Sequence, residues 1–76
     1  MATNEEFMAR LQEKAEFAPT LVGLELSVAR QRADDRGFTT PEIVEGSGVL
    51  VPASLDPNRI WLIVDDDQNV VRALLG

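Results

Sequence analysis

Three groups of residues in this chain have types and spacings that could do chemistry. Asp65, Asp67 and Asn69 fall on the first three ligand positions of an EF-hand loop, where alternating oxygens converge on a calcium ion. Val70, however, stands where that loop needs glycine, and Gly76 where it needs a bidentate glutamate. The stretch therefore reads as an acidic, solvated hairpin turn. Glu45 and Asp56 form a carboxylate pair of the kind glycosidases use, but two acids alone are a weak signal in so short a chain. Ser54 is a nucleophile only with a base beside it. The 76 residues contain no histidine, which removes the commonest base, the commonest metal ligand and every Ser-His arrangement. They contain no cysteine either, so disulfides, thiolate-zinc sites and thiol redox chemistry are excluded. Gly46-Ser47-Gly48 lacks the lysine and the spacing of a phosphate loop and reads as a hinge. No catalytic set, metal or cofactor is expected, and the chain does not read as an enzyme.

What remains is a segment that could act by shape. Gly48 to Asp65 reads GVLVPASLDPNRIWLIVD. Its first part is too apolar for a plain turn and too rich in proline for a regular element. Its last part opens with Arg59 and is a strand pattern. An extended loop, 46–58, is thus expected to be pinned at its exit by a rigid strand, and loops held still by a scaffold are where function concentrates.

Composition narrows the partners. Hydrophobic residues make up 45% and charged residues 26%, ordinary for one soluble globular domain with one core. The net charge of −6 argues against nucleic acid, because neutralising phosphates takes clustered cations. No run is long enough to span a membrane, and no basic-then-apolar leader opens the chain. A cytoplasmic protein or a mature secreted form is equally consistent with that.

The elements that must position the loop follow from periodicity. Residues 4–16 form a short amphipathic helix, with Thr3 or Asn4 as cap and Phe7, Leu11 and Ala15 as its apolar stripe. Ala18-Pro19 ends it. Leu21-Val22-Gly23 is an extended hook, and a second helix runs from about Leu26 to Arg36 with Leu26, Ala29 and Ala33 inward. Glu25 and Ser27 compete to cap it, and Gly37 stops it. Thr39 to Val44 is a first strand, which Pro41 confines to an edge or makes irregular. Arg59 to Val64 is apolar on both faces and therefore central. Asp65 to Asn69 is a turn, and Val70 to Leu74 pairs back as a hairpin. The fold class is α+β, with the helices on one face of a small sheet.

With the loop placed before the strand, the sequence resembles the potato inhibitor I family of serine-protease inhibitors, particularly its small bacterial relatives. The likeness covers about Pro19 to Gly76. Leu21-Val22-Gly23 resembles the family's approach to its helix, Gly48 to Ala53 the apolar approach to the scissile bond, and Pro57-Asn58-Arg59-Ile60 the arginine-bearing exit. Ile60 to Asp65, the hairpin and the final glycine resemble its last two strands. The amphipathic helix, 1–17, precedes the likeness as an extra element, and the resemblance implies an inhibitor-like domain at 18–76. In that domain a parallel strand pair and a C-terminal antiparallel hairpin pack on one helix. It also implies a loop that docks into a protease cleft like a substrate, with the scissile bond between Ala53 and Ser54. Val51, Pro52, Leu55 and Asp56 would be flanking contacts. Arg59 would support the loop from beneath, with the Gly76 carboxylate near it. The small Ala53 side chain suits subtilisin-like or elastase-like proteases as partners.

The chain differs from that family at three places. Pro52 stands where a threonine is usual, Asp56 where a basic residue is frequent, and Trp61 where plant members carry a second arginine. Proline stiffness is therefore expected to hold the loop more than side-chain bonds do. Trp61 and Ile63 face away from Ile60, Leu62 and Val64. The N-terminal helix is expected to cover them and leave a monomer; the alternative is an apolar patch that makes a dimer. Leu21 to Glu45 also resembles the opening half of a PASTA-type module, which would imply a ligand-binding or spacer role. A third alternative keeps the inhibitor fold but uses the loop for another protein interaction. PASTA-type modules are usually tandem, and their later strands lack an arginine-opened RIWLIVD followed by a hairpin.

Overall fold

The computed structural model describes residues 4–48 and 56–75. Helix α1 runs Asn4–Phe17, with Glu5 and Glu6 in its first turn, where unpaired backbone N–H groups favour negative charge. Pro19 cannot continue it, and the chain tightens into a 3-10 turn at Ala18–Leu21. There the Thr20 hydroxyl donates to the Phe17 carbonyl at 2.6 Å. The face that α1 turns inward is not the expected Phe7-Leu11-Ala15 stripe. Lys14 and Phe17 are buried, Phe7, Arg10 and Leu11 are half-buried, and Ala15 is exposed. The stripe is rotated because Phe17 stacks on Phe38, ring centroids 5.6 Å apart, and carries the helix round with it.

Helix α2, Leu26–Asp34, buries Leu26, Ala29 and Ala33 as its spacing predicts. The two alanines let it lie close to the sheet. Glu25 occupies the N-cap position without a side-chain cap bond, and the Ser27 hydroxyl donates to its carboxylate at 2.9 Å. The first N–H of α2, on Leu26, is taken by the Gln68 carbonyl at 2.8 Å. The far end closes as a Schellman motif: Phe38 N–H donates to the Ala33 carbonyl and Gly37 N–H to that of Asp34. Gly37 sits at φ 77°, a conformation that costs little only without a Cβ. The motif drops Phe38 onto the core beside Ala33.

Three strands, β1 (Glu42–Val44), β2 (Trp61–Val64) and β3 (Val70–Leu74), form one sheet in the order β1-β2-β3. The β1–β2 pair is parallel, with Glu42 opposite Leu62 and Val44 opposite Val64. The β2–β3 pair is an antiparallel hairpin. The fold is therefore α+β with an added N-terminal helix, and the doubly apolar β2 is central. The parallel pairing reaches back to a bridge between Thr39 and Arg59. Thr39 N–H donates to Asn58 O, Ile60 N–H to Thr39 O and Leu62 N–H to Pro41 O. Pro41 has no N–H for the rung that this alternation would place on the Ile60 carbonyl, so regular strand begins only at Glu42.

Ile60, Leu62, Val64 and Val70 meet Leu26, Ala29, Ala33, Phe38, Leu21, Phe17 and Ala18 in one cluster. Both helices thus serve the same sheet face. In the hairpin turn the Asp65 carboxylate accepts the N–H groups of Asp67 at 2.9 Å and Asn69 at 3.0 Å, so it stiffens the turn.

Gly37→Ala tests the helix stop. Its Cβ would be forced into the left-handed region and would meet the Arg10 Nη2 at 3.2 Å. Chemical denaturation should show a loss of about 1–2 kcal/mol.

Candidate functional site

Parallel pairing obliges the chain to travel back along the sheet between β1 and β2. Glu45 N–H still donates to Val64 O at 2.8 Å, and the chain must return to the level of Arg59, five residues earlier on the neighbouring strand. That is about 17 Å at the rise of a strand. Residues 45–58 make the journey, and extended they could span up to about 46 Å, so length does not force them to follow the sheet. The lead-in bends sharply: Gly46 and Gly48 sit at φ 81° and 78°, and Ser47 N–H donates to Val44 O at 3.1 Å. Of the predicted contact residues, Val51, Pro52, Ala53, Ser54 and Leu55 lie outside the described residues, as does Gly76.

The exit from this connection is built in detail. Asp56-Pro57-Asn58-Arg59 is a β-turn, closed by Arg59 N–H donating to Asp56 O at 3.2 Å. Pro57 presets the first central position, and the Asp56 carboxylate accepts Asn58 N–H at 2.8 Å. Asp56, expected as a contact residue, thus uses one carboxylate oxygen to shape its own turn. Asn58 then passes its carbonyl to Thr39, whose N–H lies at 2.7 Å and hydroxyl at 3.3 Å. Turn and strand are one continuous hydrogen-bonded unit.

Arg59 follows on the sheet face away from the helices, since it alternates with Ile60. Its guanidinium lies over the Trp61 ring, 5.3 Å from the centroid, within cation–π range. Trp61 is half-buried, and Ile63, two residues on, is 7% exposed beside its register partner Ile43. The expectation that α1 covers Trp61 and Ile63 is not met. Phe17 and Ala18 pack with Ile60, Leu62 and Val64 on the opposite face, because Phe17 stacks on Phe38.

Two cations on α1 reach the exit turn, and neither was foreseen. Lys14 Nζ donates to the Asp56 carbonyl at 2.8 Å and to the Leu75 carbonyl at 2.5 Å. One turn earlier, Arg10 Nε donates to Asn58 Oδ1 at 2.9 Å and Nη2 to the Arg36 carbonyl at 2.7 Å. Its guanidinium also lies 3.8 Å above the Phe38 ring. The signal was present in the spacing. Leu11, Lys14 and Phe17 share a helix face at three-residue intervals, and a lone cation within an apolar stripe asks for a buried acceptor. Burial depresses the Lys14 pKa below its ordinary 10.5; the Asp56 carboxylate opposes this shift, and the Arg59 guanidinium adds to it.

No protein-family model matches the chain, and no curated protein matches it.

Lys14 is the only lysine, and the sequence has neither tyrosine nor cysteine, so the alkaline range reports on it almost alone. Because the folded pKa lies below 10.5, the unfolded chain binds more protons between the folded value and 10.5. Below that window the folding penalty is full; across it, the penalty is lifted. Relative to Lys14→Met, the wild-type denaturation midpoint should therefore climb as pH rises towards 10.5. A flat difference would show that the ammonium is not desolvated.

Proposed function

We propose that this protein inhibits serine proteases in the manner of the potato inhibitor I family, blocking subtilisin-like or elastase-like enzymes with residues 51–56. The observation that carries this reading is the fixed exit at Asp56–Arg59. A β-turn, a capping carboxylate and the parallel rung to Thr39 immobilise the chain three residues past the proposed scissile bond. The element order from α2 onward agrees with it: one helix, a parallel pair joined by a long connection, and a closing hairpin. So does the position of Arg59, last residue of the turn and supported by Trp61.

Inhibition follows from preorganisation. A loop fixed before docking avoids an ordering cost of about 0.5–1.5 kcal/mol per immobilised side chain. Ala53 fills a small specificity pocket, and the protease serine attacks the Ala53 carbonyl. If the bond to Ser54 breaks, the new amine remains tied to β2 through Asp56–Asn58. Held beside the acyl group, it competes with water at high effective concentration and re-forms the bond. The enzyme is occupied without completing turnover.

Titration against a panel should show inhibition of a subtilisin or an elastase and none of trypsin, with mass spectrometry finding any cut between Ala53 and Ser54. Ala53→Arg should move inhibition towards trypsin, which needs a cation in its pocket. A wild-type protein that inhibits trypsin alone would refute the assignment of Ala53. Arg59→Ala should weaken inhibition about ten- to a hundredfold, the worth of a charged hydrogen bond to the loop, and turn the inhibitor into a slowly cleaved substrate.

A further inference from the structure

Lys14 is 1% exposed, and its ammonium is bound by backbone carbonyls from two distant parts of the chain, 42 and 61 residues away. Burying an ammonium costs several kcal/mol unless its donors are met, and an apolar residue of similar volume is often no worse for stability. A methionine at position 14 would fill the same space between Leu11 and Phe17. The lysine adds a defined position for whatever it holds. One of its acceptors, Asp56, is the first described residue after 49–55; the other, Leu75, belongs to the chain's last residues. Arg10 repeats the arrangement one turn away. It holds the Asn58 side chain and braces itself on the Arg36 carbonyl and the Phe38 ring. Residues 56 and 58 are thus gripped by α1 from one side, while the rung to Thr39 holds them from the sheet.

We infer that α1 is a clamp on the loop, and that Lys14 is a positioning residue that sets the Asp56 carbonyl and through it the rigidity of the protease-facing segment. The geometry stands by itself; its consequence for a protease rests on the inhibitor reading. The clamp works with groups the exit turn already uses. Asp56 O accepts both Arg59 N–H, which closes the turn, and Lys14 Nζ, which ties the turn to the helix. A carbonyl with two donors at fixed angles has little freedom to rotate, so the Asp56–Pro57 peptide plane at the head of the turn is held in one orientation.

Wild type, Lys14→Met and Asn58→Ala separate the possibilities. Backbone relaxation should show residues 56–58 in the rigid range, with order parameters of about 0.85, and a fall towards about 0.6 in Lys14→Met while α2 is unchanged. Subtilisin should cleave folded Lys14→Met between Ala53 and Ser54 about tenfold faster than wild type, beyond any increase explained by its unfolded fraction. If residues 56–58 of folded Lys14→Met stay as rigid as in wild type, the clamp is wrong, whether or not the protein inhibits. If wild type inhibits no protease but the loss of order is seen, the clamp stands and the inhibitor reading falls. Should Lys14→Met fail to fold, Asn58→Ala decides. It removes only an exposed acceptor of Arg10, and loosening at 56–58 with a few-fold faster cleavage supports the clamp, whereas unchanged order overturns it.

Discussion

The parallel pairing of Thr39–Val44 with Arg59–Val64 is the constraint on which the other features depend. An antiparallel pair could have closed through a tight turn, and the chain would then have had no long connection to use. Because the strands run the same way, residues 45–58 must go back past them, and both ends of that return are fixed by the ladder. Glu45 is tied to Val64 at one end and Asn58 to Thr39 at the other. The hydrogen bonds that make the sheet are therefore the same ones that set where the connection leaves and where it lands. Pro41 weakens this ladder by one rung without moving its register, since its own carbonyl still accepts Leu62. Stability and presentation are not separate devices in a chain this small.

Around that frame the two faces of β2 have different tasks. Ile60, Leu62 and Val64 face both helices and close the core. Arg59, Trp61 and Ile63 face the other way, with the guanidinium resting on the indole. On the inhibitor reading, Trp61 takes the place where plant members of the resembled family have a second arginine. An indole offers its π-face rather than a fan of donors, so it can steady Arg59 but cannot bind several loop carbonyls itself. The donors missing from the strand are supplied from α1, where Lys14 and Arg10 reach residues 56 and 58 from the helix side.

Much of this was legible in the residues, and the misses have physical causes. Val70–Leu74 and the central place of Arg59–Val64 followed from alternation and from apolar residues on both faces, both local properties. Gly37 declared its stop because only a residue without Cβ sits comfortably at positive φ. The Asp-Pro-Asn turn fell within the expected extended loop, although each of its residues is suited to its turn position. The orientation of α1 did not follow, because its hydrophobic pattern is weak and the decisive contact, Phe17 on Phe38, joins residues 21 positions apart. The role of Lys14 went unread: its place in an apolar stripe marks a buried cation, but the acceptors it meets are backbone carbonyls, which have no signature in the sequence. The cover for Trp61 and Ile63 was assigned to α1 for the same reason: the pattern shows that a face is apolar, not what lies on it.

On the inhibitor reading, a loop that acts as bait must resist two different failures, and contacts at its exit oppose them from different directions. Sideways fraying is opposed by the exit turn and its rung to Thr39, which are local and form with the sheet. Tilting of the whole exit away from the domain is opposed by α1, whose grip is long-range and forms only when the helix docks. The first is cheap in chain entropy, because Asp56 and Arg59 are neighbours; the second must close 42 residues to bring Lys14 to Asp56. A contact with that closure cost is stable only because Phe17 and Ala18 have already committed the end of α1 to the core, leaving Lys14 one turn from a fixed point. The aromatic stack and the buried ammonium therefore act together: the apolar contact places the helix, and with the helix in place Lys14 meets the Asp56 carbonyl at the exit turn.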